Sequence, residues 1–345
     1  MSQTPTHVPL QLRALLLFAL VQSSCAAGVN DCARLEVFCV GLVTDTGGLH
    51  DHGLTQSAWD QLERAQAGHV AQITAYVESV DPRDYAKNLE YFARRHYDVV
   101  LSAGAGFRDE TLFAADRYPA TIFVGLDQPP DPAHPNYVAV TFHEDQAGFL
   151  AGYLAARMTR TGIVAAVCET AGIPSNWRAC EGFRAGAAYA DPDVQVLITY
   201  RENGSQEDLF RDDVWGRAAA LESIAAGADV IFGVGGGTGQ GALVAAAERG
   251  VAALGSEQDQ FQVTRAAQAV LLTSFVKNAD PAIPMLLSAL INGGAHQSEY
   301  SGSIAIAPFQ DRGLRVPQPV QTNLIQLASD LSRNIVTTGI PPQAP

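Results

Sequence analysis

From residue 37 onward the chain alternates between two hydrophobic patterns. Runs of consecutive apolar residues at 37–43, 70–77, 98–104, 120–127 and 137–142 predict strands. Their few polar interruptions are what parallel strands covered on both faces require. Between them Ala58, Trp59, Leu62 and Ala65 recur at helical spacing, as do Tyr85, Leu89 and Phe92, which predicts helices over 56–69 and 83–95. The pattern then starts again, with helices at 145–158, 177–190, 215–226 and 239–249 and strands at 161–168, 194–200, 229–235 and 251–257. A last stretch gives a strand at 269–275, a helix at 281–291, a strand at 302–307 and a helix at 320–333. Two successive βα sets predict an α/β protein of two doubly wound, Rossmann-like lobes with a hinge and a central cleft. The expected boundaries are 36–142 with 272–300 for the first lobe and 143–271 with 301–335 for the second. Residues 336–345, rich in Pro, are expected to form a loose tail.

Composition supports a large buried core: 345 residues with 47% hydrophobic content. The 36 acids against 22 bases leave a formal net charge of −14, which repels phosphate backbones and argues against a nucleic-acid partner. Residues 1–25 differ from the rest. Arg13, the apolar run 14–21 and the small-residue stretch that follows form a signal peptide too short to span a bilayer. Cys25 stands where a lipoprotein signal places its acylated cysteine; the alternative is ordinary cleavage near Ala27. Of the remaining cysteines, Cys168 and Cys180 could pair in an oxidising compartment. The preferred reading makes Cys39 and Cys168 small core residues of apolar strands. With no C-x-x-C spacing, neither thiol redox chemistry nor a zinc site is supported.

In open α/β sheets, ligands bind beyond the carboxyl ends of the strands. The tips here are Asp45, Gly104, Asp127, Glu169, the glycine loop 233–239 and Glu257, so acids or glycines fill nearly all of them. Each has a plainer explanation. Asp45 could cap the next helix, Phe210 could be core and Lys277 a solvated charge. The recurrence of acids in both lobes is harder to dismiss. His50 and His52 flank Asp51, yet no third distant ligand completes a metal site. No nucleophile–base pair or G-x-S-x-G elbow is present, so no catalytic role is expected.

Several stretches together resemble a known family. They are "LVTDTGGLHDHGLTQSAWDQL" from Leu42, "VGLDQ" from Val124, "EDQAGFLAGYLAARMTRTGIV" from Glu144 and "EGFRAGA" from Glu181. "GADVIFGVGGGTGQGALVAAAERGV" from Gly227 and "LLTSFVKNAD" from Leu271 follow in order. The chain is similar over about residues 36–310 to the basic-membrane-protein group of substrate-binding lipoproteins for ABC transporters, which includes the purine nucleoside receptors. The resemblance implies a type 1 periplasmic-binding fold whose lobes close on a nucleoside, with an ABC permease as membrane partner. It implies ligand contacts from Asp45, Thr46, Asp51, Thr55 and Asp127 in the first lobe. Phe210 would stack on the base, with Asp212, Gly235 and Gly239 beside it, Glu257 would hold the ribose hydroxyls, and Lys277 matches the family's binding lysine. Leu54-Thr55 replaces the family's Phe-Asn, Ala105 an aromatic, and "ETAGIPSNW" from Glu169 a glycine pair, so the base-facing side has changed. Trp177 is a candidate replacement ring.

A rival comes from "GTGQGA" at 237–242, which fits a dinucleotide fingerprint with Glu257 following 20 residues after Gly237. An NAD-dependent oxidoreductase and a pentose receptor of the same fold therefore stand as alternatives. The expectation is a monomeric, extracytoplasmic nucleoside receptor without cofactor or metal, anchored through Cys25.

Overall fold

The computed structural model describes residues 31–204, 208–293, 296–310 and 315–342. The signal segment and Cys25 lie outside them. In chain order the elements of the first half are β1 (Cys39–Thr44), α1 (Leu54–Ala67), β2 (Ile73–Glu78), α2 (Tyr85–Ala93), β3 (Val99–Ala103), α3 (Arg108–Arg117), β4 (Ile122–Leu126) and β5 (Tyr137–Thr141). Then follow α4 (Glu144–Met158), β6 (Ile163–Cys168), α5 (Pro174–Ala190), β7 (Gln195–Tyr200), α6 (Asp213–Ala225), β8 (Val230–Val234), α7 (Gly236–Arg249), β9 (Ala252–Glu257), α8 (Gln260–Val263) and β10 (Leu271–Asn278). The chain ends with α9 (Ala282–Ile291), β11 (Glu299–Ser301), β12 (Ser303–Ile306) and α10 (Gln318–Ser332).

Two six-stranded sheets result, ordered β11-β5-β4-β3-β1-β2 and β12-β10-β9-β8-β6-β7. All pairings are parallel except β10 with β12. The central strands β1, β3 and β8 are buried at every position and β6 at all but its first, as apolar runs without alternation predict. Each sheet is covered on both faces, by clusters such as Leu42, Leu101 and Val124 with Leu286, and Ala165, Ile231 and Ala253 with Leu243. The order reverses at β1 and β6, so the switch points fall at the tips of β1 and β3, and of β6 and β8. Asp45 and Gly104 occupy the first pair of tips, Glu169 and Gly235 the second.

The chain crosses between the lobes three times, after β5, after β10 and between β11 and β12. These crossings lie against one another: the Gly302 amide bonds the Thr141 carbonyl at 2.9 Å, and a side chain at Gly302 would meet Phe142 and the Asn278 carbonyl. The expected lobe boundary needs correction here. β10 had been assigned to the first lobe, but it bonds β9 and β12 in the second sheet; only α9 and β11 return to the first. An apolar strand fits either sheet, and its partners decide which. The tail is not loose as far as Pro342. Val336 packs on the second-lobe core, the Thr338 hydroxyl bonds Asp145, and Arg178 donates to the Pro342 carbonyl at 3.0 Å.

Two disulfides also overturn the preferred reading of the cysteines. Cys32 bonds Cys39 across a short turn before β1, and Cys168 at the end of β6 bonds Cys180 on α5. Apolar surroundings and disulfide bonding give a strand cysteine the same sequence signature, so pattern alone did not separate them.

Candidate functional site

The two lobes meet directly along the line of strand tips. The Asp259 amide donates to the His52 carbonyl at 2.8 Å, and Gly53 lies so close to Gln258 and Glu257 that a side chain there would collide. Deeper in, Lys277 near the end of β10 reaches Asp127, the residue after β4, with its ammonium 2.8 Å from both carboxylate oxygens. It also lies 3.3 Å from Glu144, the first residue of α4, whose other oxygen bonds Arg178. This charged chain joins the lobes and has little exposure; Lys277 is 5% exposed. Burial by itself would lower the Lys277 pKa, but Asp127, Glu144 and Glu257 outweigh it and hold the ammonium well above its usual range. Burial likewise pushes Asp127 up against the pull of Lys277. For Glu144 the opposite balance holds: burial raises its pKa, but Lys277 and Arg178 bring it below the ordinary carboxylate value.

Asp45 follows β1 and accepts the Gly47 amide at 2.8 Å. Burial raises its pKa, the Gly47 bond opposes this, and the nearby Asp51 charge adds to the rise. Tyr85, stacked on Phe107 at 3.7 Å, sits beside it. The phenol is shifted up by its own burial and then by Asp45, while Arg211 of the second lobe pulls the other way. The turn that carries Arg211 packs through Phe210 against Gly236, whose amide lies 3.4 Å from the Glu257 carboxylate.

Phe210 is held by its backbone. Its amide donates to Glu169 Oε2 at 3.0 Å and its carbonyl accepts from Gly237 at 2.7 Å. Glu169 is fully buried and also receives the Thr238 hydroxyl at 2.7 Å and Arg201 at 3.2 Å. Phe210, Asp127 and Glu257 all adopt positive φ, at 62°, 63° and 67°. Such a conformation costs a non-glycine residue about 1–3 kcal/mol and persists only where the surroundings fix it. Two of them stand at the tips of β4 and β9 and the third in the turn before α6, which marks this region as built for more than packing.

Of the residues singled out in the sequence, Asp45, Asp127, Phe210, Glu257 and Lys277 converge on this region. Others are otherwise engaged. Asp51, rather than Asp45, caps α1, accepting the amides of Gly53, Thr55 and Gln56 at 2.9–3.1 Å. Asp212 caps α6 through the Trp215 amide and pairs with Arg201 at 3.0 Å. Thr46 is exposed and Thr55 buried on α1. Gly235 supplies the positive φ (95°) of the turn into α7, against the Glu169 side chain. Gly239 is buried against Val234 and β8, where a side chain would clash with backbone. It therefore does not present its amide to a ligand, and "GTGQGA" lies within α7 rather than in a phosphate-cradling loop.

Sequence reasoning missed Tyr85, Glu144, Arg178 and Asn176. Tyr85 carried the spacing of a core helix face, and nothing in the local pattern around Glu144 and Arg178 shows that these charges are paired and buried. Asn176 stands beside Trp177, the residue that drew attention. Yet Asn176, with Glu144, Glu257 and Lys277, lines a small cavity at the ends of β8, β9 and β10, and Trp177 does not. Among the described residues no His, Cys, Asp or Glu cluster is arranged to hold a metal ion, and no helix is long and apolar enough to cross a membrane.

Comparison with known proteins agrees with this geometry. The sequence matches the family described as ABC transporter substrate-binding protein PnrA-like over residues 38–325. It is 28% identical over 330 residues to the CD4+ T-cell-stimulating antigen of Listeria monocytogenes, covering 88% of this chain and 90% of that protein. It is 28% identical over 235 residues to the ABC transporter nucleoside-binding protein BmpA of Lactococcus lactis subsp. cremoris, 67% of this chain and 64% of that one. A solved ABC-transporter solute-binding protein from Conexibacter woesei superposes with a TM-score of 0.68 at 22% identity, over 89% of this chain and 99% of its own. Likeness at that identity shows the fold: the type 1 periplasmic-binding architecture expected from the sequence. With the family match covering most of the chain, this protein belongs to the PnrA-like substrate-binding proteins of ABC transporters.

Proposed function

We propose that the chain is an extracytoplasmic receptor that delivers a nucleoside, a purine nucleoside first among them, to an ABC permease. One observation carries this reading: the charge balance at the cleft. Lys277 is taken up by Asp127 and Glu144, Arg201 by Glu169 and Asp212, while among the described residues no cation is bonded to the Asp45 or Glu257 carboxylate. An uncharged ligand carrying hydroxyl donors suits such a site, whereas a phosphate would meet acids with few free bases. Phe210 offers a ring for stacking on a base, which a free pentose would not use. The nucleoside-binding name of the Lactococcus relative agrees. For NAD, the buried Gly239 and the engaged Gly237 amide speak against a pyrophosphate cradle.

On this reading Asp45 and Glu257 accept hydrogen bonds from the ligand and Phe210 stacks on its base. Asp127 and Lys277 form the wall between the lobes. Asp51, Asp212 and Gly239 act through the framework. The receptor works as a monomer, and acylation of Cys25 holds it at the outer face of the membrane.

Calorimetric titration of the mature chain with adenosine, guanosine, inosine, ribose and NAD tests the proposal. Nucleosides are expected to bind and ribose and NAD to be silent. Heat with ribose or NAD alone would remove the nucleoside assignment.

A further inference from the structure

Asn176 is the third residue of α5, 1% exposed, and its amide nitrogen has no hydrogen-bond partner among the described residues. Buried side-chain donors are bonded in the large majority of cases, so an orphan on a cavity wall asks what is meant to meet it. The other polar groups lining that cavity are largely committed. The Ser256 hydroxyl donates to the Gly233 carbonyl at 2.8 Å, Lys277 is held by Asp127 and Glu144, and Glu144 is held by Arg178. Glu257 is different, with only a long 3.4 Å contact from the Gly236 amide. The capacity left on this wall is thus the Asn176 amide donor, the Glu257 carboxylate acceptor and the Ser175 hydroxyl, which can act as either. Around them stand Phe232, Val234, Phe275 and Ile304, which offer no further polar group.

Resting on the nucleoside reading above, we infer that Asn176 is a specificity-determining residue that, with Glu257, holds one ribose hydroxyl of the ligand. A hydroxyl is the group that fits both partners. It donates its proton to the Glu257 carboxylate and accepts from the Asn176 amide. A ring nitrogen or carbonyl acceptor would satisfy Asn176 and leave Glu257 facing a lone pair. An ammonium would do the reverse. A phosphoryl oxygen would sit between Glu144 and Glu257. The space, about 20 Å³, suits a single oxygen-sized group. The same wall therefore prefers a nucleoside to the form phosphorylated on that hydroxyl and a ribose to a sugar lacking it. The disulfide between Cys168 and Cys180 brackets the segment that carries Asn176, which keeps the amide in place.

The test titrates the unaltered mature chain, Asn176→Ala and Asn176→Ser with adenosine and inosine, and with the 2′-, 3′- and 5′-deoxy form of each. The unaltered chain should bind one of the three deoxy forms about tenfold more weakly than the parent. Both variants should lose about tenfold on the parent and nothing further on that same deoxy form. Equal loss on every analogue would assign the amide to the framework or to a bound water, and unchanged binding of the parent would assign it no role; either result overturns the inference. Should a variant fail to fold, the deoxy series on the unaltered chain still decides, because indifference to all three hydroxyls is incompatible with the assignment. If the unaltered chain binds neither nucleoside, the functional reading falls, and the role of Asn176 falls with it.

Discussion

An ammonium as buried as that of Lys277 stays charged only because acids surround it. Removing one partner of such a group is costly, about 3–5 kcal/mol, since the remaining charge is left without water or a counter-ion. Glu144 is the partner whose titration gives a clear sign. Its folded pKa lies below the ordinary 4.5, the pull of Lys277 and Arg178 exceeding the effect of burial. As pH falls, the unfolded chain therefore takes up this proton first. The stability contributed by the ionised group is full above pH 4.5 and is lost as pH drops through the folded pKa. Thermal melts of the native chain and of Glu144→Gln should differ most at neutral pH, with the gap narrowing below pH 4.5. A gap that stays constant down to pH 3 would remove Glu144 from the network. At this scale the sequence was partly legible. Acids at strand tips pointed to Asp45, Asp127 and Glu257. It could not separate them from Asp51 and Asp212, because a helix-capping acid after a strand has the same local signature. Asn176 gave no signal, since an unpaired amide is visible only once its neighbours are placed.

Among the elements, the contact between α4 and α5 sets the geometry of the second-lobe wall. Gly148 and Gly152 on α4 face Gly182 and Gly186 on α5, and a side chain at Gly152 would lie 1.9 Å from the Phe183 carbonyl oxygen. The helices approach backbone to backbone, which fixes the distance between Glu144 on one and Asn176 and Arg178 on the other. Gly152→Val should force them apart. Overpacking of this kind costs about 1–3 kcal/mol, and more where backbone rather than side chain must yield. A lowered melting temperature together with weaker ligand binding is the expected result; an unchanged melt would show that the helices can separate freely. Most element positions were legible because buried strands and amphipathic helices have distinct periods. Helix α3 escaped: its buried residues are Thr111, Ala114 and Ala115 while Phe113 is 53% exposed, so its hydrophobic pattern points the wrong way. The placement of β10 escaped for a different reason, since periodicity identifies a strand but not the sheet it joins.

At the scale of the molecule, two sheets of matching strand order meet at their strand tips and are joined by three adjacent crossings, the arrangement expected of lobes that swing about a common line. The repeated βα pattern made this architecture legible before any coordinates. The Cys168–Cys180 cross-link was legible only as the less favoured alternative, and it bears on when the protein becomes competent. The bond between Cys168 and Cys180 closes the loop holding Glu169, which fixes Phe210, and Asn176, which lines the cavity. Closing a loop of this length stabilises a fold by about 2–4 kcal/mol. In Cys168→Ser with Cys180→Ser, the melting temperature should fall by several degrees and nucleoside affinity should fall with it, measured below the new midpoint. Intact affinity in the doubly substituted chain would separate the cross-link from the site. If both fall, a chain still in a reducing cytoplasm would carry an unfinished cleft and would leave the solute there to the enzymes that use it. Competence would arrive only with oxidation on the far side of the membrane, where there is solute to collect.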